Sequence, residues 1–230
     1  MTDRIQKLRE LSLNAVNRLS AERALLVTQF YKNEEAKYLP TPVQRAMAFK
    51  YIMENKAIFI QTGELIVGER GPKPKATPTY PEVCLHSIDD LKIINSRPKV
   101  SFLVDDETFK VYNDIIIPFW KGKTQRDKVF ASLPKQWHNA YYAGVFTEFQ
   151  EQRAPGHTVA GKKLFQRGMN DVKGEIEAAM NSLNKSDLDY SARIEQLKAM
   201  TISSDAIVLF ANRYADLFEN IADTEKKYGI

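Results

Sequence analysis

Residues Phe146 to Val159 read FTEFQEQRAPGHTV, the densest cluster of chemically capable side chains in the sequence. Two aromatics, two acids, an arginine and a histidine surround a Pro-Gly pair. Pro155 and Gly156 break regular structure and fix a loop at a defined place. His157 follows that turn directly, and imidazole is the side chain most easily tuned for proton transfer near neutral pH. Glu148 and Glu151 lie three apart and would share a face on a helix. Such paired carboxylates can divide acid and base roles, although solvated or salt-bridged pairs are commoner. Two readings stay open on local features alone: a substrate-contacting loop, or a buried turn whose Arg153 and Glu151 pair with neighbours. His86 and His138 show no ligand-like spacing to each other or to His157, so the sequence indicates no metal site. Cys84 is the single cysteine, which excludes an internal disulfide and a CxxC zinc site. Between Val83 and Leu85, with no activating base in view, it reads as a small hydrophobe rather than a nucleophile.

The elements around this loop read as mostly helical. Ile5, Leu8, Leu11 and Val16 fall near helical spacing with charges between them. Ser20 is placed to cap a helix over AERALLVTQFYK. Thr41 and Pro42 open a third helix, with Gln44 completing a capping box, running to about Lys56. Ile58 to Ile60 and Leu65 to Val67 then read as short strand or extended segments around a turn at Thr62-Gly63. The proline-rich stretch from Gly71 to Pro81 excludes helix and central strand, and reads as an ordered extended loop anchored by Tyr80, Val83 and Leu85. Ser87 and Asp90 form a capping box, Asp105 and Asp106 open a helix that Pro118 ends or kinks, and Thr124 opens another that stops at Pro134. Trp137, Tyr141, Tyr142 and Phe146 recur at about one turn, which predicts a buried stripe. Phe165, Met169, Val172 and Ile176 mark a further helix, and Asp187 opens a long last one whose apolar face needs partners.

Composition narrows the class. The 230 residues are 43% hydrophobic and 27% charged, ordinary values for a globular protein with room for a core. The net charge of +4 comes from 33 basic residues against 29 acidic ones, and the densest basic run, Lys121 to Lys128, is short and interrupted. That argues against a nucleic-acid partner. No apolar run approaches the ~18 residues that span a bilayer, and the N-terminus lacks the apolar segment of a signal peptide. A cytoplasmic location without a membrane partner is therefore expected. Phosphate-loop, HExxH and GxSxG patterns do not occur.

Four strings carry a resemblance: GELIVGE at Gly63 to Glu69, TYPE at Thr79 to Glu82, IIPFW at Ile116 to Trp120, and FTEFQEQRAPGHT at Phe146 to Thr158. In order and spacing the chain resembles the N-terminal part of the glycyl radical enzymes, the pyruvate formate-lyase-like group, over almost all of residues 1–230. ELIVG is common to much of that superfamily. The FTEF string is similar to the dehydratase branch, nearest to hydroxyproline dehydratases and next to glycerol or diol dehydratases.

The resemblance implies a mainly helical N-terminal portion, with a few short strands, of a protein whose full fold is a ten-stranded α/β barrel. It implies removal of water from trans-4-hydroxy-L-proline, giving a pyrroline carboxylate, under anaerobic conditions. Alternatives are a small polyol or a sulfonate as substrate, or a non-catalytic helical interaction module on the same scaffold. Two residues carry over as substrate contacts: Phe149, packing against the substrate ring, and His157, facing its polar groups. Gln152 and Arg153 match the motif as supports of the loop. The family's catalytic cysteine lies in a Cys-x-Glu segment and its radical glycine in an RVxGY-like string, and this sequence contains neither. The chain is therefore expected to be a fragment that carries no catalytic residue, binds no cofactor and does not turn over substrate alone. The radical would be installed on the absent C-terminal part by a radical S-adenosylmethionine activase, and the full protein is expected to be a homodimer.

Overall fold

The computed structural model describes residues 2–146 and 161–228. Helix α1 (Asp3–Asn14) leads into strand β1 (Arg18–Ser20), then helix α2 (Glu22–Lys32), a 3-10 turn (Glu34–Tyr38) and α3 (Thr41–Asn55). Strand β2 (Ala76–Pro78) follows a long irregular connection, and α4 (Ile88–Ser96) and α5 (Asp106–Val111) come next. A π-helical turn (Tyr112–Ile116) joins α5 to α6 (Ile117–Trp120), after which come α7 (Gln125–Ser132) and α8 (Lys135–Tyr142). Beyond residue 160 lie α9 (Lys163–Gln166), α10 (Met169–Asn181) and the 39-residue α11 (Tyr190–Tyr228). The expectation of a mainly helical chain with a few short strands holds.

The core gathers α2, α3, α4 and the π-helical turn around Leu19, Val27, Ile52, Leu91, Tyr112, Ile116 and Trp120. Its buried polar groups are paired, as burial demands. Trp120 Nε1 donates to Thr28 Oγ1 at 2.8 Å, and Thr28 Oγ1 donates to the Ala24 carbonyl at 2.6 Å. The Tyr112 hydroxyl donates to Thr79 Oγ1. A second layer forms where α11 lies along α3 and α10. It buries Ala199, Ser204, Ala206 and Tyr214, with Ile176 from α10. Arg213 reaches across to donate to the carbonyls of Met53 and Lys56 at the end of α3.

Several sequence expectations are met at helix ends. Ser87 with Asp90 and Thr124 with Asp127 form reciprocal capping boxes, and Asp105 accepts from the Thr108 N–H. Others are corrected. Ser20 ends a strand rather than capping α2, although its hydroxyl accepts from the Glu22 N–H at 3.3 Å. The Gln44 side chain donates to the Ala36 carbonyl instead of closing a capping box with Thr41. The last helix begins at Tyr190, not Asp187.

Ile58–Ile60 and Leu65–Val67 lie as irregular segments on either side of a turn at Thr62-Gly63, and neither forms a strand. Side chains take up the flanking carbonyls of Gly63, Glu69 and Arg70. The strand pair arises elsewhere. β1 and β2 run parallel with Leu19 opposite Thr77, and Leu103 bridges Arg18 beside them. β2 lies inside the proline-rich stretch, where the missing N–H of Pro78 is tolerated because the sheet has only two strands. Gly71 is buried there, and a Cβ on it would lie 2.8 Å from Ala76 Cβ.

Candidate functional site

The described structure explains how the start of the FTEF string is held. The TYPE segment is a hub. Thr79 accepts from Tyr112, Tyr80 lies under the Arg23 guanidinium at 3.9 Å, and the Glu82 carboxylate receives both terminal nitrogens of Arg23. Arg23 Nη1 also donates to the Thr79 carbonyl at 3.2 Å. A bidentate guanidinium–carboxylate pair fixes orientation as well as distance. The next carbonyls, of Glu82 and Val83, accept from the Gln125 and Arg126 N–H groups at the open start of α7. These N–H groups have no partner within the helix, so the TYPE segment sets where α7 begins.

Arg126 then extends that order towards Phe146. Its guanidinium lies 4.2 Å from the Phe130 ring centre and donates to the Tyr141 hydroxyl at 3.1 Å. Phe130 meets Tyr141 edge-on at 4.8 Å, and Tyr141 and Trp137 each meet Phe146 at 5.7 and 5.5 Å. Edge-to-face rings at these separations add orientation to simple burial. The result is an aromatic ledge whose last member opens the FTEF string.

This ledge corrects the expectation of a buried stripe. Trp137 is 54% exposed and Tyr142 78% exposed, and α8 contributes no buried residue. Helical spacing of aromatics creates a face, and only another element laid over that face buries it. Among the described residues α7 covers part of it, through Phe130 and Arg126 on Tyr141, and leaves Trp137 and Tyr142 exposed.

Phe149 and His157, with Glu148, Glu151, Gln152, Arg153 and the Pro155-Gly156 turn, lie outside the described residues. His138 meets the Phe130 ring edge-on at 5.7 Å. Cys84 and His86 line a cleft of about 790 Å³ together with Arg70, Arg97 and Lys99. Among the described residues no three His, Cys, Asp or Glu side chains assemble into a metal site. No described helix is long and apolar enough to cross a membrane.

Sequence reasoning overlooked Arg23 and Arg126. Arg23 lies four residues before Val27 and eight before Tyr31, so it shares their inward-facing stripe. A charge within an apolar stripe was the available signal. Arg23, Tyr31 and Glu82 line a second cleft, of about 640 Å³, between α2, α3, α10 and α11. Burial, then the nearby Glu82 carboxylate, raises the Tyr31 pKa above its ordinary value, keeping the phenol neutral. The arginine–carboxylate pair beside it acts as a structural joint.

A helical layer packed on a tyrosine-centred core, with TYPE linked through α7 to the start of FTEF, defines the class. A family model for "Pyruvate formate lyase-like" proteins matches residues 1–229, and the chain belongs to that family. The sequence is 44% identical over 224 residues to trans-4-hydroxy-L-proline dehydratase from Clostridioides difficile, covering 97% of this chain and 28% of that protein. The crystal structure of that hydroxyproline dehydratase with trans-4-hydroxy-L-proline bound superposes with a TM-score of 0.91 over 98% of this chain and 28% of its own. The glycerol-bound glycerol dehydratase from Clostridium butyricum gives a TM-score of 0.87 at 28% identity, over 97% of this chain and 28% of its own. The chain thus spans 28% of the length of each of these relatives and lies within the fold that they share.

Proposed function

We propose that this chain supplies the N-terminal, substrate-facing portion of a glycyl radical dehydratase that eliminates water from trans-4-hydroxy-L-proline. The observation that carries this reading is the 44% identity to the hydroxyproline enzyme, against 28% to the glycerol enzyme, at nearly equal coverage of this chain. Phe149 is the proposed apolar contact to the substrate ring. It would exclude water from the reacting face. His157 is the proposed donor towards the leaving hydroxyl, a group that departs poorly without a proton. The Arg23–Glu82 joint and the Arg126 stack support this reading by fixing the helices that lead to Phe146.

The sequence holds no RVxGY-like string, and Cys84 stands in Cys84-Leu85-His86 rather than a Cys-x-Glu context. The radical chemistry is therefore assigned to the rest of such an enzyme, activated by a radical S-adenosylmethionine enzyme, with the whole acting as a homodimer in the cytoplasm. The chain's own residues bind and orient substrate.

The test is anaerobic reconstitution. The chain is combined with a polypeptide spanning the remainder of a hydroxyproline dehydratase and with its activase, and pyrroline carboxylate is measured. Product is expected only when all three are present. Consumption of glycerol but not hydroxyproline by the assembled enzyme would overturn the substrate assignment. In the same system His157→Ala is expected to lower kcat by about 100-fold or more. Unchanged kinetics would remove the role given to the imidazole.

A further inference from the structure

The GELIVGE segment takes no part in the hub described above, yet it is held with unusual care. Arg4 Nη1 donates to the Gly63 carbonyl at 2.7 Å. Lys56 Nζ donates to the carbonyls of Glu69 at 2.9 Å and Arg70 at 3.2 Å. Gln61 and Glu64 close a turn reciprocally, each bond 3.0 Å, and Gly63 takes φ +88°, a conformation that suits glycine. Arg4 of α1 and Lys56, just past the end of α3, thus grip the loop by its backbone. Lys56 is only 8% exposed and lies 5.0 Å from the Phe210 ring centre, so this grip is built into the core.

What the grip presents is apolar. Leu65 is 76% exposed and Ile66 92% exposed, at the tip between the anchored ends. A loosely tied loop with two large aliphatic side chains would fold them inward, because their exposure to water is unfavourable. Here the shape is set independently of those side chains, so docking them requires little further ordering.

We infer that the Leu65–Ile66 tip is an assembly knob that inserts into an apolar socket on the polypeptide completing the dehydratase. The inference rests on the function proposed above, since it takes that polypeptide as the partner. Two arguments favour this occupant over a second copy of the chain. The chain spans 28% of the length of the relatives that it matches, so most of such a protein is available to supply the socket. A two-residue tip is also far smaller than the ~800 Å² per partner of a stable dimer interface, and fits as one element of a larger contact.

The test uses the 230-residue chain and a purified polypeptide spanning the rest of a hydroxyproline dehydratase. Affinity is measured for the unmodified chain, for a Leu65→Asp/Ile66→Asp variant, for a milder Leu65→Ser/Ile66→Ser variant, and for Leu188→Asp as a control on another fully exposed leucine. Thermal melts by circular dichroism confirm that each variant is folded. The aspartate pair is expected to weaken binding by about 100-fold and the serine pair by about 10-fold. Melting temperatures should stay unchanged, and Leu188→Asp should bind like the unmodified chain. Undiminished binding by both tip variants overturns the knob while leaving the proposed function standing. No binding by the unmodified chain overturns the proposed function and the knob with it.

Discussion

Tyr112 illustrates how one residue can tie distant segments together. It is fully buried, and its hydroxyl donates to Thr79 Oγ1 across 33 residues of sequence. Burial raises its pKa from 10.0 to about 12, so the folded protein holds the neutral phenol more tightly than the unfolded chain does. The resulting stabilisation is complete below pH 10 and is lost as pH rises from 10 towards 12, where only the unfolded chain ionises. Tyr112→Phe is expected to lower stability by about 1–2 kcal/mol at neutral pH, read from urea unfolding, because Thr79 loses its partner. The same variant should lose this residue's share of the decline above pH 10. An unaltered alkaline profile would show that Tyr112 is not its source. Thr79, Tyr80 and Glu82 were already distinct in the sequence as the TYPE string. Their partners Arg23 and Tyr112 were not, because a contact across 33 or 59 residues leaves no local trace.

At the scale of elements, Pro118 was expected to end or kink its helix; the α-helix gives way to a π-turn just before it and ends at Trp120. Proline has no N–H to donate and its ring collides with the carbonyl four residues back. The preceding turn widens: the Ile117 N–H bonds to the Tyr112 carbonyl, five residues back, and the helix continues into α6. This π-turn turns Tyr112, Ile116 and Trp120 into the core together. Arg213 is the matching device for α11. Its guanidinium serves two carbonyls at the end of α3, which have no partners within that helix. Arg213→Met is expected to cost about 2–3 kcal/mol of stability, with Arg213→Lys recovering part of it, since hydrogen bonds to charged groups are stronger than neutral ones. A melt unchanged by the methionine variant would mean that α11 is held by apolar contact alone. Gly71→Ala should lower stability by about 1–3 kcal/mol, because its new methyl would press on Ala76 at the edge of β2. The Ser87–Asp90 box and the Thr124 cap were legible beforehand because donor and acceptor lie three residues apart. The β1–β2 pair was not, because its paired residues lie 58 apart in sequence, with two helices between.

For the molecule as a whole, the governing fact is the span of the chain. It has a paired polar core and a long helix packed on two others, yet leaves Trp137, Tyr142, Leu65 and Ile66 exposed. Covering 28% of its relatives' length, it is proposed to hold one side of a binding cavity. Trans-4-hydroxy-L-proline is therefore expected to leave the melting temperature of the isolated chain unchanged, and to raise that of the reconstituted enzyme, since only a ligand bound to the folded state stabilises it. A concentration-dependent rise for the chain alone, followed by scanning fluorimetry, would contradict the divided cavity.

Sequence alone determined the helical class, the caps at Ser87, Asp105 and Thr124, the ordered proline-rich stretch and membership of the pyruvate formate lyase-like family. Each of these is written in residues close together or in strings read in order. It also singled out Phe149 and His157, whose roles await the reconstitution experiment. The tertiary structure decided which carbonyls Arg23, Lys56 and Arg213 serve, where the two strands meet, and that Trp137 and Tyr142 of the aromatic stripe stay exposed. Burial and long-range pairing depend on what packs against a surface, and periodicity names the surface without naming its partner.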